Sequence, residues 1–281
     1  PPPAAAAEHA SPVYDSSQVT LLSRLQELVR YRELYVAFAK RDLKVRYTQT
    51  VLGPLWVLLQ PLVALVIFTF IFGRGLKVDT GGIPYPVFAM CGLSAWSFFA
   101  TIFGQSGNAV ISAGGMLKRV YFPRLILPLG KGFLASIDFG INLLLLFVLM
   151  LGFGVMPSWQ VVFLPLFILA NVLVGLTVGI WVSVLTIRFR DLIHVVPFMI
   201  QIGLYATPVA YPSTLVPEQY RLAYQLLNPM VSIVEGFRWC LLGYGELHWL
   251  PLTASMGVVL VLLVLGLRTF LRTESRMADL V

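Results

Sequence analysis

The sequence predicts an all-α polytopic membrane protein with six transmembrane helices, an N-terminal amphipathic interface helix and short re-entrant helices before the last span. Three observations lead to this fold class. The 281 residues are 58% hydrophobic and only 12% charged, whereas soluble domains have roughly 45–50% apolar and 25% charged residues. Long uncharged stretches recur along the chain, with basic residues at their edges. Short amphipathic segments precede the first and the last of these stretches.

The uncharged stretches predict the number of spans, because a helix needs about 20 apolar residues to cross a bilayer. No Asp, Glu, Lys or Arg interrupts residues 47–73, 80–117, 192–217 and 247–267. Residues 132–187 contain Asp138 as their only charge, and they are long enough for two spans. We therefore predict transmembrane helices at about 53–72, 86–103, 125–153, 161–186, 194–211 and 250–267.

The basic residues predict the orientation. With six spans both termini share a side, and that side carries 15 of the 20 Lys and Arg residues, against 4 on the other. Because positive charge accumulates in cytoplasmic loops, we expect a multi-pass membrane protein with both termini in the cytoplasm. The basic residues flank spans and do not form one patch with aromatic residues, so we expect no nucleic-acid partner.

The segments before the first span differ in composition. Residues 1–17 are rich in Pro and Ala, and we expect a disordered tail there. Residues 18–47 place leucines at helical spacing opposite a mostly basic face, which is typical of a helix that lies in the membrane interface. Such a helix contacts membrane lipids or docks a cytoplasmic partner. Residues 48–281 form the predicted transmembrane domain.

Two further segments interrupt the predicted transmembrane domain. Residues 106–124 are too polar for the membrane core, and we expect a cytoplasmic surface helix there. Residues 217–242 contain two amphipathic pieces separated by Asn228-Pro229. Apolar-rich pieces of 10–14 residues are more often re-entrant or interfacial than spanning, so we predict a pair of re-entrant helices at the outer face.

The sequence offers little for catalysis or for an internal energy source. His9, His194 and His248 are scattered, so we expect neither a catalytic site nor a metal site. The fragment Gly130-Lys131-Gly132 lacks the other residues of a phosphate-binding loop, so energy must come from a partner or an ion gradient. Asp138 is the one ionisable residue at membrane depth, which is weak support for an ion-coupled carrier.

Aromatic residues are abundant, with 19 Phe, 11 Tyr and 6 Trp. Most belong to interface belts or helix packing by default. A minority suits a path for a sugar polymer, because aromatic faces stack on sugar C–H faces while amides bond hydroxyl groups. The predicted lining residues are Gln60, Phe68, Trp96, Phe99, Phe103 and Tyr205.

Three segments together resemble a known family. The run RYTQTVLGPLW at residues 46–56, YFPR at 121–124, and LNPM at 227–230 followed by EGFR at 235–238 occur in the order seen in ABC-2 type permeases. The resemblance is to the permeases of polysaccharide, lipopolysaccharide O-antigen and teichoic acid exporters. It covers the chain from about Leu21 to the last span.

This resemblance implies a homodimer bound to two ATP-binding cassette subunits, which would hold the ATP and magnesium, with no cofactor in this chain. The cargo would be an undecaprenyl-linked glycan of O-antigen, capsule or teichoic acid type. The interface helix and residues 106–124 would contact the ATPase. The basic residues expected to receive its movement or to hold the lipid pyrophosphate are Arg41, Lys44, Arg46, Lys118, Arg119 and Arg190.

The paired short helices would form an outer gate. Its predicted residues are Pro217, Asn228, Glu235 and Arg238, and the last two are spaced to pair along one helix.

Two alternatives stay open from the sequence. One is an ABC-2 permease for a small hydrophobic drug or lipid. The other is a membrane-embedded glycosyl- or acyltransferase, which would need acidic or histidine residues clustered at one membrane face. The outer side offers only isolated acidic residues, so the enzyme is the weaker alternative.

Overall fold

The computed structural model describes residues 37–38, 40–41, 43–44, 55–113, 122–189 and 191–274, and regular structure within them is entirely helical. The helices are α1 Leu55–Phe68, α2 Tyr85–Gly107, α3 Ala109–Ser112, α4 Ile126–Gly152, α5 Leu164–Arg188, α6 Leu192–Ala206, α7 Glu218–Leu227, α8 Pro229–Leu242 and α9 Trp249–Glu274. A π-helix, Thr69–Gly75, extends α1, and a 3-10 helix, Trp159–Phe163, precedes α5. The predicted tail and most of the interface helix lie outside the described residues.

Five of these helices are long and apolar enough to cross a membrane: α1 with its π-helical extension, α2, α4, α5 and α9. The fold is therefore that of an all-α, multi-pass membrane protein. The segment predicted as span five differs from the others, because α6 ends at Ala206 after 15 residues. At 1.5 Å per residue this helix is about 22 Å long, which is less than the roughly 30 Å of a hydrocarbon core.

The bundle has two unlike ends. At the first, which we call the basic end, α2 ends and α4 and α6 begin. At the second, which we call the short-helix end, α6 stops and the chain makes α7 and α8 before α9 returns. The described part of the interface helix lies at the basic end, where the Phe38 ring contacts Phe122 edge-on with centroids 5.4 Å apart.

α2 is the centre of the bundle and packs against α1, α4, α5, α6 and α8. Its contact with α5 is close because Gly175 and Gly179 face it without side chains, the small-residue spacing typical of membrane helix pairs. Asn171 on α5 donates from Nδ2 to the Ala95 carbonyl at 2.8 Å, which adds a buried hydrogen bond between the two helices.

The turn between α7 and α8 follows from the Asn228-Pro229 pair. The Asn228 side chain accepts a hydrogen bond from the Met230 backbone N–H at 3.1 Å and caps α8. Pro229 occupies the first turn of α8, where its missing N–H has no cost. At the other end of α8, Gly243 has φ +63° and ends the helix in the left-handed conformation.

We expect Gly179→Ala to destabilise the protein by about 1–3 kcal/mol, because the added Cβ would lie 2.6 Å from the Ser106 Cβ. The matched control is Gly140→Ala on α4, where the added Cβ meets nothing within 4 Å. The measurement is the temperature at which each variant loses its monodisperse gel-filtration peak in mild detergent. Equal midpoints for the two variants would contradict the close packing of α2 on α5.

Candidate functional site

Polar residues line one face of α2 toward the basic end. Thr101, Gln105, Asn108 and Ser112 follow at intervals of four, three and four residues, so they lie on one side of α2 and its continuation α3. This face is turned toward a cavity and not toward the packed core, because all four residues line it. A membrane helix that contacts only lipid and apolar side chains does not require a polar face. The polar face of α2 therefore indicates a polar site.

The cavity is an open groove with a volume of about 680 Å³ between α2, α4 and α6. Opposite the polar face, Val196, Pro197 and Ile200 of α6 form an apolar wall. Lys131, on the second turn of α4, brings a positive charge to the cavity. The cavity is thus amphipathic, with hydrogen-bonding groups, a cation and an apolar wall around one space.

Two of the lining residues have unsatisfied atoms. Oε1 of Gln105 and Oδ1 of Asn108 are buried and have no hydrogen-bond partner within the described part of the chain. A buried polar atom without a partner costs about 1–3 kcal/mol. The polar face of α2 therefore contains two amide oxygens whose burial no hydrogen bond among the described residues compensates.

The predicted coupling residues are only partly described. Arg41 and Lys44 are exposed on the described portion of the interface helix, and the Arg41 guanidinium lies 5.2 Å from the centroid of the Phe38 ring. Phe122, from the YFPR segment, is buried and joins this helix to the residues around α3. Arg46, Lys118, Arg119 and Arg190 lie outside the described residues, and their role stays a prediction.

The predicted lining residues fall into two groups. Phe68, Trp96, Phe99 and Phe103 are buried in the core of this chain, and the Trp96 ring packs against Gly203 of α6. Gln60 and Tyr205 are exposed, Tyr205 by 59%. A single chain therefore presents two of the six to its surface, and a channel-lining role for the set stays a prediction.

At the short-helix end, the backbone leaves the helix after Ala206 yet stays buried through Ala210. Non-helical backbone at membrane depth is tolerated only where its polar groups find partners within the protein. The hydroxyl groups of three tyrosines supply some of these partners. Tyr211 donates to the Tyr205 carbonyl at 2.8 Å, Tyr224 to Ala206 at 2.7 Å, and Tyr85 to Ala210 at 2.7 Å.

Tyr224, on α7, is suited to this donation. Burial raises the pKa of the Tyr224 phenol above its usual range, and the neighbouring Tyr211 hydroxyl raises it further. The phenol therefore stays protonated and keeps its hydrogen bond to the end of α6 at physiological pH.

Arg238 of α8 donates to three further carbonyls. Its Nη1 donates to Pro208 at 2.8 Å and to Tyr211 at 3.3 Å, and its Nη2 donates to Val209 at 2.6 Å. The guanidinium carbon lies 3.7 Å from the centroid of the Phe88 ring on α2. Arg238 is 1% exposed, so its charge is balanced by these carbonyl dipoles and by the aromatic face. We call this group of contacts the carbonyl clamp.

Gly92 of α2 makes room for the carbonyl clamp. A Cβ at this position would lie 2.5 Å from the Val209 carbonyl oxygen and 2.8 Å from Nη2 of Arg238. The absence of a side chain therefore lets the extended backbone and the guanidinium both approach α2.

The outer-gate prediction requires one correction. Arg238 does not pair with Glu235 along α8, because its guanidinium donates to the carbonyls after α6. Glu235 instead accepts a hydrogen bond from Nε2 of Gln225 on α7 at 3.1 Å. Asn228 links the turn to the same region, since its Nδ2 donates to Oγ1 of Thr207 at 3.0 Å, and Pro217 directly precedes α7. A gating role for these residues stays a prediction.

The polar face of α2 was the main functional feature that the sequence interpretation missed. The signal was present, because Thr101, Gln105, Asn108 and Ser112 recur at helical spacing near the end of span two. The carbonyl clamp had no such signal, since Arg238 and its acceptors are 27 to 30 residues apart.

We expect Arg238→Met to lower the free energy of unfolding by roughly 3–5 kcal/mol, because several buried carbonyls lose their donor. Tyr85→Phe, which removes one bond to Ala210, should cost about 1 kcal/mol. Arg221→Met is the matched control, because among the described residues the Arg221 guanidinium donates to one carbonyl, that of Val216 at 3.4 Å. Thermal unfolding in detergent measures all three, and equal effects of the two arginine variants would contradict the clamp.

Comparisons with known proteins give the family. Residues 33–242 match the ABC-2 type transporter family. An O-antigen export system permease protein RfbA from Myxococcus xanthus is 30% identical over 244 residues, which cover 86% of this chain and 93% of the relative. The protein of the same name from Klebsiella pneumoniae is 30% identical over 250 residues, covering 88% and 95%.

A more distant relative extends the comparison. Polysialic acid transport protein KpsM from Escherichia coli is 24% identical over 240 residues, which cover 84% of this chain and 92% of the relative. These relatives are named as transport or export proteins, so the transferase alternative finds no support among them. The chain belongs to the ABC-2 type transporter family, and it is a multi-pass permease subunit homologous to permeases named for O-antigen export and polysialic acid transport.

Proposed function

We propose that this chain is the membrane subunit of an ATP-driven exporter that moves a polyprenyl-linked polysaccharide, of O-antigen, capsule or teichoic acid type, across the bacterial cytoplasmic membrane. The observation that carries the proposal is the similarity over nearly the whole length of two permeases named for O-antigen export. The amphipathic cavity supports it, since hydrogen-bonding groups suit a sugar better than a small hydrophobic drug.

In this proposal the basic end and both termini lie in the cytoplasm, because 15 of the 20 Lys and Arg residues belong to that side. The cavity then opens near the inner leaflet, where lipid-linked cargo would enter. The short-helix end faces outward, and α7 and α8 serve there as the outer gate.

Two ATP-binding cassette subunits, which hold ATP and magnesium, dock at the basic end in this proposal. Lys40, Arg41 and Lys44 present exposed charge there. The contact between Phe38 and Phe122 supports a mechanical role, because it joins the interface helix to the chain entering α4. Movement of a docked ATPase would therefore reach two helices at once.

A second copy of the chain completes the path. Gln60 on α1 and Gln201 on α6 are exposed, although both lie within apolar stretches. Polar side chains at membrane depth usually face a protein interior or a water-filled cavity, because lipid offers no hydrogen-bond partner. A homodimer that covers α1 and α6 would place both amides along a hydrated path between the subunits.

We expect the double change Lys118→Glu and Arg119→Glu to abolish surface polysaccharide and to release the ATPase, because it reverses charge in the proposed docking segment. The measurements are antibody labelling of intact cells and co-purification of the nucleotide-binding subunit in mild detergent. The matched control is Arg74→Glu with Lys77→Glu, an exposed pair at the opposite end. Full export by the first double variant would contradict the docking assignment.

We expect Gln60→Cys to give a crosslinked dimer in native membranes treated with a flexible bismaleimide, because the homodimer would bring the two α1 faces together. The native Cys91 and Cys240 are buried and should not react. Val261→Cys on α9, exposed on a wholly apolar surface, is the control that should remain monomeric. A dimer from Val261→Cys and none from Gln60→Cys would overturn the proposed arrangement.

A further inference from the structure

The first membrane helix departs from α-helical geometry where it reaches the short-helix end. α1 continues directly into the π-helix Thr69–Gly75, which we call the π-segment. Its ladder runs to the carbonyl five residues earlier, as in the hydrogen bond from the Leu76 N–H to the Ile71 carbonyl at 2.9 Å. π-Helices are rare and frequently lie at functional sites. We infer that the π-segment is a conformational switch, π-helical in this state and α-helical in a second state of the export cycle.

Two contacts with the bundle hold the π-segment in register. Phe68, the last residue of α1, is buried in the core. Gly73 packs against the Tyr85 ring of α2, where an added Cβ would lie 3.0 Å from Cγ. Phe68 and Gly73 are five residues apart, which is about one π-turn, so both face the bundle. In an α-helix, residues five apart point about 140° away from each other, because each residue turns the helix by about 100°. The α-helical state therefore cannot keep both contacts.

The α-helical state would separate Gly73 from Tyr85. Tyr85 also contacts the backbone after α6, because its hydroxyl donates to the Ala210 carbonyl at 2.7 Å. The outward face of the π-segment leaves room for a rotation, since Phe70 is 70% exposed and Ile71 is 46% exposed. A change of helical geometry would therefore act on the end of α6 through Tyr85, while the exposed side chains turn outside the bundle.

Two features raise the energy of the π-helical state. Oγ1 of Thr69 is buried without a hydrogen-bond partner among the described residues. In the α-helices, Thr101 and Thr177 each donate to the carbonyl four residues earlier. Lys77, two residues after the π-segment, has φ +48°, which is uncommon for a residue with a side chain. Such strain persists only where the surrounding contacts impose it, and it clusters in switch regions. A second state that relieves this strain is therefore accessible.

The inference rests on the proposed function, which places α1 at the contact between two copies of the chain. A rotation of the π-segment would turn Phe70 and Ile71 relative to that contact. It would also release Tyr85 beside the end of α6. Both changes lie at the short-helix end, so the switch would widen the path there after cargo has entered from the basic end.

The first test removes the extra residue that a π-turn contains. With Phe70 deleted, Phe68 and Gly73 are four residues apart, and an α-helix keeps both on one face, about 40° apart. The variant then has no reason to change geometry. We expect it to bind the nucleotide-binding subunit and to hydrolyse ATP, while surface polysaccharide falls about tenfold or more. Phe70→Ala is the matched control, because it removes the same side chain without changing the number of residues, and it should export as the unmodified chain does.

Folding is controlled by thermal unfolding of the same variants in mild detergent. The Phe70 deletion should have a midpoint equal to or above that of the unmodified chain, because it keeps both contacts and relieves the strain. Deletion of Leu144, which is 65% exposed on the α-helix α4, is the comparison. It turns every following residue of α4 by about 100° and should lower the midpoint strongly.

The second test measures the movement itself. Spin labels at Arg74→Cys and Met156→Cys report one distance within the chain, because both positions are exposed and the native cysteines are buried. Labelled chains are diluted with unlabelled ones, in complex with the ATPase. We expect the distance to change by roughly 5 Å between the nucleotide-free and the vanadate-trapped complex, because Arg74 turns to another face of a helix about 10 Å wide. The Phe70 deletion should show no change.

A pair of glycine variants biases the switch without altering the number of residues. Gly73→Ala adds a Cβ against the Tyr85 ring, so it should shift the nucleotide-free distance toward the trapped value. Gly75→Ala is the control, because its Cβ would meet only the Phe70 carbonyl oxygen at 3.4 Å, an ordinary contact. It should behave as the unmodified chain does.

The switch is overturned if the Phe70 deletion exports polysaccharide as the unmodified chain does. It is also overturned if this deletion lowers the midpoint as far as the Leu144 deletion, since the extra residue would then be required for folding alone. An unchanged distance between Arg74 and Met156 in the two nucleotide states would have the same meaning. If the unmodified chain exports no polysaccharide while the distance still changes, the proposed function fails and the switch stands.

Discussion

The short-helix end depends on one constraint: backbone that leaves a helix inside the membrane must find hydrogen-bond partners within the protein. After Ala206, carbonyls from 205 to 211 accept bonds from three tyrosines, from Arg238 and from the Val209 backbone N–H. Burying the guanidinium is costly, and its carbonyl acceptors and the Phe88 ring offset that cost. Because Tyr85, Tyr224 and Arg238 come from α2, α7 and α8, these hydrogen bonds fix all three helices around the end of α6.

The same helix, α2, supports both ends of the molecule. Toward the short-helix end it supplies Phe88 under the guanidinium and Gly92 beside the Val209 carbonyl. Toward the basic end it supplies Gln105 and Asn108 to the cavity. Its 23 residues correspond to about 34 Å, so one buried rod connects the two regions across the bilayer. Any displacement of α2 would therefore change the cavity and the clamp together.

The backbone carbonyls of the short-helix end and the side-chain amides of the cavity differ in how completely they are satisfied, although Nε of Arg238 is also buried without a partner among the described residues. The carbonyls from 205 to 211 are all bonded at the short-helix end, which favours a single, rigid arrangement. In the cavity, by contrast, Gln105 and Asn108 keep unsatisfied oxygens.

Local sequence patterns determined which segments form membrane helices and where the chain turns between them. Uncharged stretches indicated the membrane helices, and Asn228-Pro229 indicated the turn between α7 and α8, because span length and helix capping depend on residues close together in the chain. Only the tertiary structure decided what Arg238 binds and where α6 stops. The spacing of Glu235 and Arg238 suggested a local pair, but the carbonyls of residues 208, 209 and 211 lie 27 to 30 residues away and offered more hydrogen bonds to a buried guanidinium. The cavity likewise depends on the tertiary structure. The spacing of the polar residues on α2 is visible in the sequence, whereas their approach to Lys131 and Ile200 results from helix packing.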